Sequence, residues 1–210
     1  MKKSITLFVA AVLLLPSVTQ AALIDDLRGK ILIQVEENGE DWYVNPANDH
    51  RYFMGRPNHA FDLMRGLGLG VTNNDLNKIP IGLTPLSGRD DDRDGLTNIF
   101  EQSQGTSNVS DDTDGDGFTD REEIENGYSP LVALGQKIVF DQKMIDRLKG
   151  KILLQVESFG EAWYVNPDDG KRYFLGRPAD AFAVMRNLGL GITNANLDEI
   201  ETETLDQLSL

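Results

Sequence analysis

The chain has no cysteine, which excludes disulfides, thiolate nucleophiles and thiolate metal sites. Histidine occurs only at His50 and His59, and no zinc signature, nucleophile elbow or phosphate-binding loop is present. Basic residues are few. The 20 Lys and Arg stand against 34 Asp and Glu, for a formal charge of −14. Such a balance argues against a nucleic-acid partner. Long apolar runs are also missing. The longest, Ile5 to Leu15, has eleven residues, against the ~20 that a spanning helix needs.

That short run belongs to MKKSITLFVAAVLLLPSVTQA, where Lys2 and Lys3 precede it and Thr19-Gln20-Ala21 follows. The pattern is that of a secretory signal peptide with cleavage expected after Ala21. No cysteine follows for lipid attachment. The mature chain is therefore expected to be secreted, extracellular or at the cell envelope, with no membrane span after cleavage. Without disulfides, bound metal is the obvious brace for its small domains.

Residues 88–127 hold thirteen acids and three Arg. Within them DTDGDGFTDREE sets carboxylates at alternate positions, where like charges repel unless a cation cancels them. In a twelve-residue calcium loop Asp112, Asp114 and Asp116 fill positions 1, 3 and 5. Gly117 makes the turn at 6, Phe118 offers its carbonyl at 7, Asp120 stands at 9 and Glu123 at 12. The pattern occurs 22 residues upstream in Asp90, Asp92, Asp94, Gly95, Leu96, Asn98 and Glu101. A merely acidic, solvated linker would not place Gly at position 6 and Glu at position 12 twice. The cofactor expected is Ca²⁺, about two ions, with the first site weaker because Asn98 replaces Asp.

Ten residues separate the loops, too few for the exiting helix, connection and entering helix of an EF-hand pair. The stretch DDDRDGLTNIFEQSQGTSNVSDDTDGDGFTDREEIENGYSP resembles instead the thrombospondin type 3-like calcium repeats of bacterial surface proteins. The resemblance covers about residues 88 to 130 and implies stacked calcium loops with little other core. The turn GTSN lacks the Pro that GYSP has.

Around this segment the chain repeats itself. Residues 27–79 align with 148–200 without a gap, 33 identical of 53. Each unit reads as a three-stranded antiparallel meander followed by a helix. In the second copy alternation predicts strands over 151–157, 162–166 and 172–175. Pro178 opens a helix that Gly189 closes, and Thr193 caps a last short one. GKILLQVE, WYVNP and RYFLGRP resemble modules of secreted bacterial proteins to which no activity is attached. The fold class expected is α+β, with two such copies joined by an irregular calcium-loop segment. The divisions are 1–21 signal peptide, 22–80 first copy, 81–87 linker, 88–130 calcium loops, 131–202 second copy and 203–210 tail.

Strand side chains alternate between faces, so one of each Trp-Tyr and Tyr-Phe pair should face out. Trp and Phe are expected in the core. That leaves Tyr43, Tyr52, Tyr164 and Tyr173, with Arg56 and Arg177, as candidates to grip a cell-surface glycan or protein ligand. Cross-strand aromatic pairing is the plainer role. Glu36 with Glu40, and Glu157 with Glu161, are conceivable acid and base pairs of a glycan-active enzyme, but solvated charge is the simpler reading. His50 and His59 align with Lys171 and Asp180, which argues against catalysis by either. The expectation is a non-enzymatic, secreted calcium-binding protein in which the ion orders a spacer between two binding or structural modules. The alternative is a calcium-dependent adhesin.

Overall fold

A computed structural model describes residues 20–204 except 56 and 86. The order is α1 (Gln20–Leu27), β1 (Ile31–Gln34), β2 (Asp41–Val44), β3 (Arg51–Phe53), α2 (Pro57–Leu67), β4 (Leu69–Val71), α3 (Asn73–Leu76) and β5 (Ile81–Gly82). There follow α4 (Asn98–Gln104) and α5 (Asp120–Asn126). The rest is α6 (Gln142–Leu148), β6 (Ile152–Gln155), β7 (Ala162–Val165), β8 (Arg172–Phe174), α7 (Pro178–Leu188), β9 (Leu190–Ile192), α8 (Asn194–Asp198) and β10 (Thr202–Glu203). The class is mixed α+β. The expected leader lies outside the described residues except for Gln20 and Ala21, which open α1. Among the described residues no helix is long and apolar enough to cross a membrane.

The strands form two five-stranded sheets, and each draws on both halves of the chain. One runs β10-β3-β2-β1-β9 and the other β4-β6-β7-β8-β5. The three central strands of each sheet are antiparallel. The outer strands come from the other copy and pair in parallel. Leu32 faces Leu190 and Leu153 faces Leu69, while Thr202 faces Arg51 and Ile81 faces Arg172. The copies therefore exchange edge strands. Residues 81–87, expected as a linker, begin with β5, and β10 crosses the expected boundary at 202. Two-residue strands leave no alternation to read.

Between the sheets lies a shared core. Ile31, Tyr43 and Tyr52 meet Ile152, Tyr164 and Tyr173 there, with Leu63 and Met64 of α2 and Val184 and Met185 of α7. The Tyr43 hydroxyl donates to the Gly150 carbonyl at 2.7 Å, and the Tyr164 hydroxyl to the Gly29 carbonyl at 2.6 Å. Gly29 and Gly150 lie against each other with φ of +74° and +76°. A Cβ on Gly29 would stand 2.3 Å from the Gly150 Cα, so only glycine admits this crossing.

The outer faces differ. Leu32 and Val44 are covered by Leu27 of α1 and by Leu197 and Ile200 near α8. On the second sheet Trp163, Val165 and Phe174 pack against Leu96, Phe100, Ile124, Met144 and Ile145. Phe100 meets Trp163 and Phe174 edge-on, at centroid separations of 6.1 and 5.5 Å. The acidic segment is thus docked on one sheet rather than strung between two bodies. Phe174 is buried, whereas its counterpart Phe53 is 42 % exposed.

Candidate metal centre

Both acidic loops are shaped by their own carboxylates. Asp90 accepts from the Arg93 and Gly95 amides at 2.7 and 3.2 Å. Asp112 accepts from Gly115 and Gly117 at 2.7 and 2.9 Å. Asp92 and Asp114, then Asp94 and Asp116, each accept one amide two residues on. Gly95 and Gly117 take φ of +92° and +99°, as the sixth position requires. Position 4 is left-handed too, with Gly115 at +76° but Arg93 at +68°, a constraint that the alternating acids conceal.

What remains after this bonding is a set of oxygens aimed inward. Among the described residues Asp92 Oδ2, Asp94 Oδ2 and Asp114 Oδ2 are buried without a partner, as are both oxygens of Glu101 and of Glu123. Glu101 is 0 % exposed and Glu123 3 %. Carboxylate oxygens of Asp90, Asp92 and Asp94 lie within 4.8 Å of one another, as do those of Asp112, Asp114 and Asp116. Burial, and then the neighbouring Asp side chains, push Glu101 up to about 8 and Glu123 up to about 7. Burial likewise raises Asp92, Asp94 and Asp120. A buried carboxylate without donors is costly unless a cation joins it.

Position 9 departs from the expected ligand set. Asn98 turns its amide back to Asp91, accepting from its N–H at 3.1 Å and donating to Oδ2 at 3.0 Å. Asp120 likewise accepts from the Thr113 amide and hydroxyl at 2.9 and 2.6 Å. Asp120 also approaches the other loop, grouping with Asp94 and Glu101 within 4.8 Å. Arg121 ties the loops from the same turn, donating to the Gly95 carbonyl at 2.8 Å. At position 7 the Leu96 side chain is buried in the core, while that of Phe118 is 60 % exposed.

The segment is less irregular than expected. Each loop runs into a seven-residue helix that carries its twelfth position, and Gly105 or Gly127 ends it in the left-handed region. Thr97 and Thr119 cap these helices, Thr119 with Glu122 in a reciprocal capping box. A two-turn helix exits the first loop, and Asp112 starts the next loop without an entering helix.

The aromatic candidates fare differently. Tyr43, Tyr52, Tyr164 and Tyr173 are all buried, at 8 % exposure or less. Tyrosine, not tryptophan, faces the shared core, so the expected outward tyrosine face is covered by the other copy. Tyr52 is bonded to Glu203 and Asn48, and Tyr173 to Asp169. Arg177 is exposed and donates to the Ser87 carbonyl. Arg56 lies outside the described residues. Nor do the enzyme-like carboxylates converge on a cleft. Glu36 accepts from the Asn194 amide and Glu157 from the Asn73 amide, both at 2.7 Å. Each holds a helix start of the other copy. Glu161 accepts from Ser158 and Phe159 in its own turn. His50 faces Glu203 at 2.8 Å, and His59 is exposed.

Comparison with protein families, with curated proteins and with solved structures finds no match to this chain.

Proposed function

We propose that the protein is a non-enzymatic calcium-binding protein, exported to the cell surface or beyond, built from two copies of one ancestral unit. The observation that carries this reading is the pair Glu101 and Glu123. All four oxygens are buried and without partners among the described residues, each beside three aspartates at calcium-loop spacing. Asp90, Asp92, Asp94 and Glu101 would hold one ion, with Asp120 reaching across. Asp112, Asp114, Asp116 and Glu123 would hold the other. The ions cancel charge in a segment that covers the outer face of one sheet, so calcium braces that face. This replaces the idea of a spacer, because the copies already interlock through exchanged strands.

The experiment is a calorimetric Ca²⁺ titration of residues 22–210 beside a Glu101→Gln, Glu123→Gln double variant. Saturable binding of about two ions in the parent and its loss in the variant are expected. No heat at millimolar Ca²⁺ would end the proposal. An adhesive role toward a cell-surface glycan or protein is the companion reading, with the four tyrosines withdrawn as its contacts.

A further inference from the structure

The duplication supplies an internal comparison at one buried arginine. In the first copy Arg51 stacks on Trp42, with its guanidinium 4.8 Å from the ring centroid. Its Nε donates to the Thr202 hydroxyl at 2.8 Å, its Nη1 to the Leu197 carbonyl, and its Nη2 faces the Asp198 carboxylate at 3.4 Å. All three nitrogens are engaged, and a carboxylate answers the charge.

In the second copy Arg172 stacks on Trp163 in the same way, at 4.5 Å. Its surroundings have changed. Asn77 stands where the first site has Asp198, and Ile81 where it has Thr202. Only Nη2 is used, donating to Asn77 Oδ1 at 3.1 Å and Gln104 Oε1 at 3.2 Å. Among the described residues Nε and Nη1 have no partner, and the side chain is 2 % exposed. Burial lowers this guanidinium to about 9 with no acid nearby to oppose it. An uncompensated buried cation is expensive, and two idle donors add to the cost.

Beside Arg172 lies a cavity of about 120 Å³, room for several waters or one small organic acid. Ile79, Ile81, Ile124 and Phe140 make much of its wall apolar, and Asn77, Gln104, Tyr128 and Ser129 supply its polar edges beside Arg172. A short aliphatic acid matches both parts, with its carboxylate at the guanidinium and its chain against the isoleucines. We propose that this cavity binds a short-chain carboxylate, whose charge takes the place beside Arg172 that Asp198 holds beside Arg51.

The inference does not depend on the calcium sites. Its test is a calorimetric titration of the full chain with sodium propionate, with sodium chloride at matched ionic strength as the control. Saturable binding of propionate that chloride does not reproduce is expected, together with a rise in Tm. Arg172→Met should abolish both effects. Because that change removes a stacked core group, Asn77→Asp gives the second arm. It restores the carboxylate of the first copy, and should raise Tm without ligand and weaken propionate binding at least ~10-fold. No saturable binding by about 100 mM propionate, roughly a hundredfold above a millimolar Kd, would mean that the cavity holds water only. Equal binding by chloride, or unchanged propionate affinity in Asn77→Asp, would also overturn the assignment.

Discussion

Replacing Glu101 by Gln should change the stability of the protein in opposite directions with and without calcium. Glu101 has no exposed surface, neither oxygen has a partner among the described residues, and Asp92, Asp94 and Asp120 press negative charge upon it. Without the ion, the carboxylate is a buried polar group left unsatisfied, which costs ~1–3 kcal/mol. An amide of the same shape stays neutral there without having to take up a proton on folding, and removes most of that cost. Calcium-free Glu101→Gln should therefore melt higher, at ~2–4 °C per kcal/mol for a chain of this size. With calcium at roughly a hundred times its Kd, each bound ion stabilises the fold by ~2.7 kcal/mol. Set against a gain of ~1 kcal/mol from removing the carboxylate, loss of that ion should lower the Tm in calcium by a net ~3–7 °C. Scanning calorimetry of parent and variant, in chelator and in millimolar Ca²⁺, reads both signs. Equal shifts in the two buffers would refute the reasoning, because Glu101 would then act through packing alone.

The same carboxylates set an unusual pH profile. Their folded values, about 8 for Glu101 and about 7 for Glu123, lie above the ordinary 4.5, so the folded chain keeps protons that the unfolded chain releases. That stabilisation is full below the unfolded value and is lost as pH rises through 7 to 8. In chelator the Tm should be higher near about pH 5.5 than near about pH 8.5, and a flat or rising profile would contradict it. Asp41→Ala should stabilise the protein by ~1–3 kcal/mol in urea melts. Both Asp41 oxygens are buried without a partner among the described residues, and the second copy carries Ala162 at that position. The pull of Arg186 on the Asp41 charge places the gain toward the lower end. Tyr43→Phe should cost ~0.5–1.5 kcal/mol by freeing the Gly150 carbonyl, and an unchanged urea midpoint would show that this bond does not join the copies.

The duplicated unit, its helix starting at Pro178, its Thr193 cap and the two acidic loops could all be read from residue order, because each rests on neighbours within a dozen positions. Caps, turns and loop carboxylates satisfy their own backbone, as Asp112 does toward Gly115 and Gly117. The placement of the tyrosines could not be read. Alternation shows that Trp163 and Tyr164 face opposite ways, but not which face meets the larger core. The edge strands were equally hidden, since Gly70 and Gly191 pair through backbone groups and carry no side-chain signal.

What the sequence by itself determined is local: where the acidic loops lie, which residues repeat, and where helices start and stop. Only the tertiary structure decided that the two copies trade strands and that Asp120 of one loop reaches the carboxylates of the other. It also decided that Arg172 has lost the partners that Arg51 keeps. The physical reason is that these are relations between segments 19 to 158 residues apart, as in Asp120 to Glu101 and Leu32 to Leu190. Burial and orphaned charge arise there only after the surfaces have met.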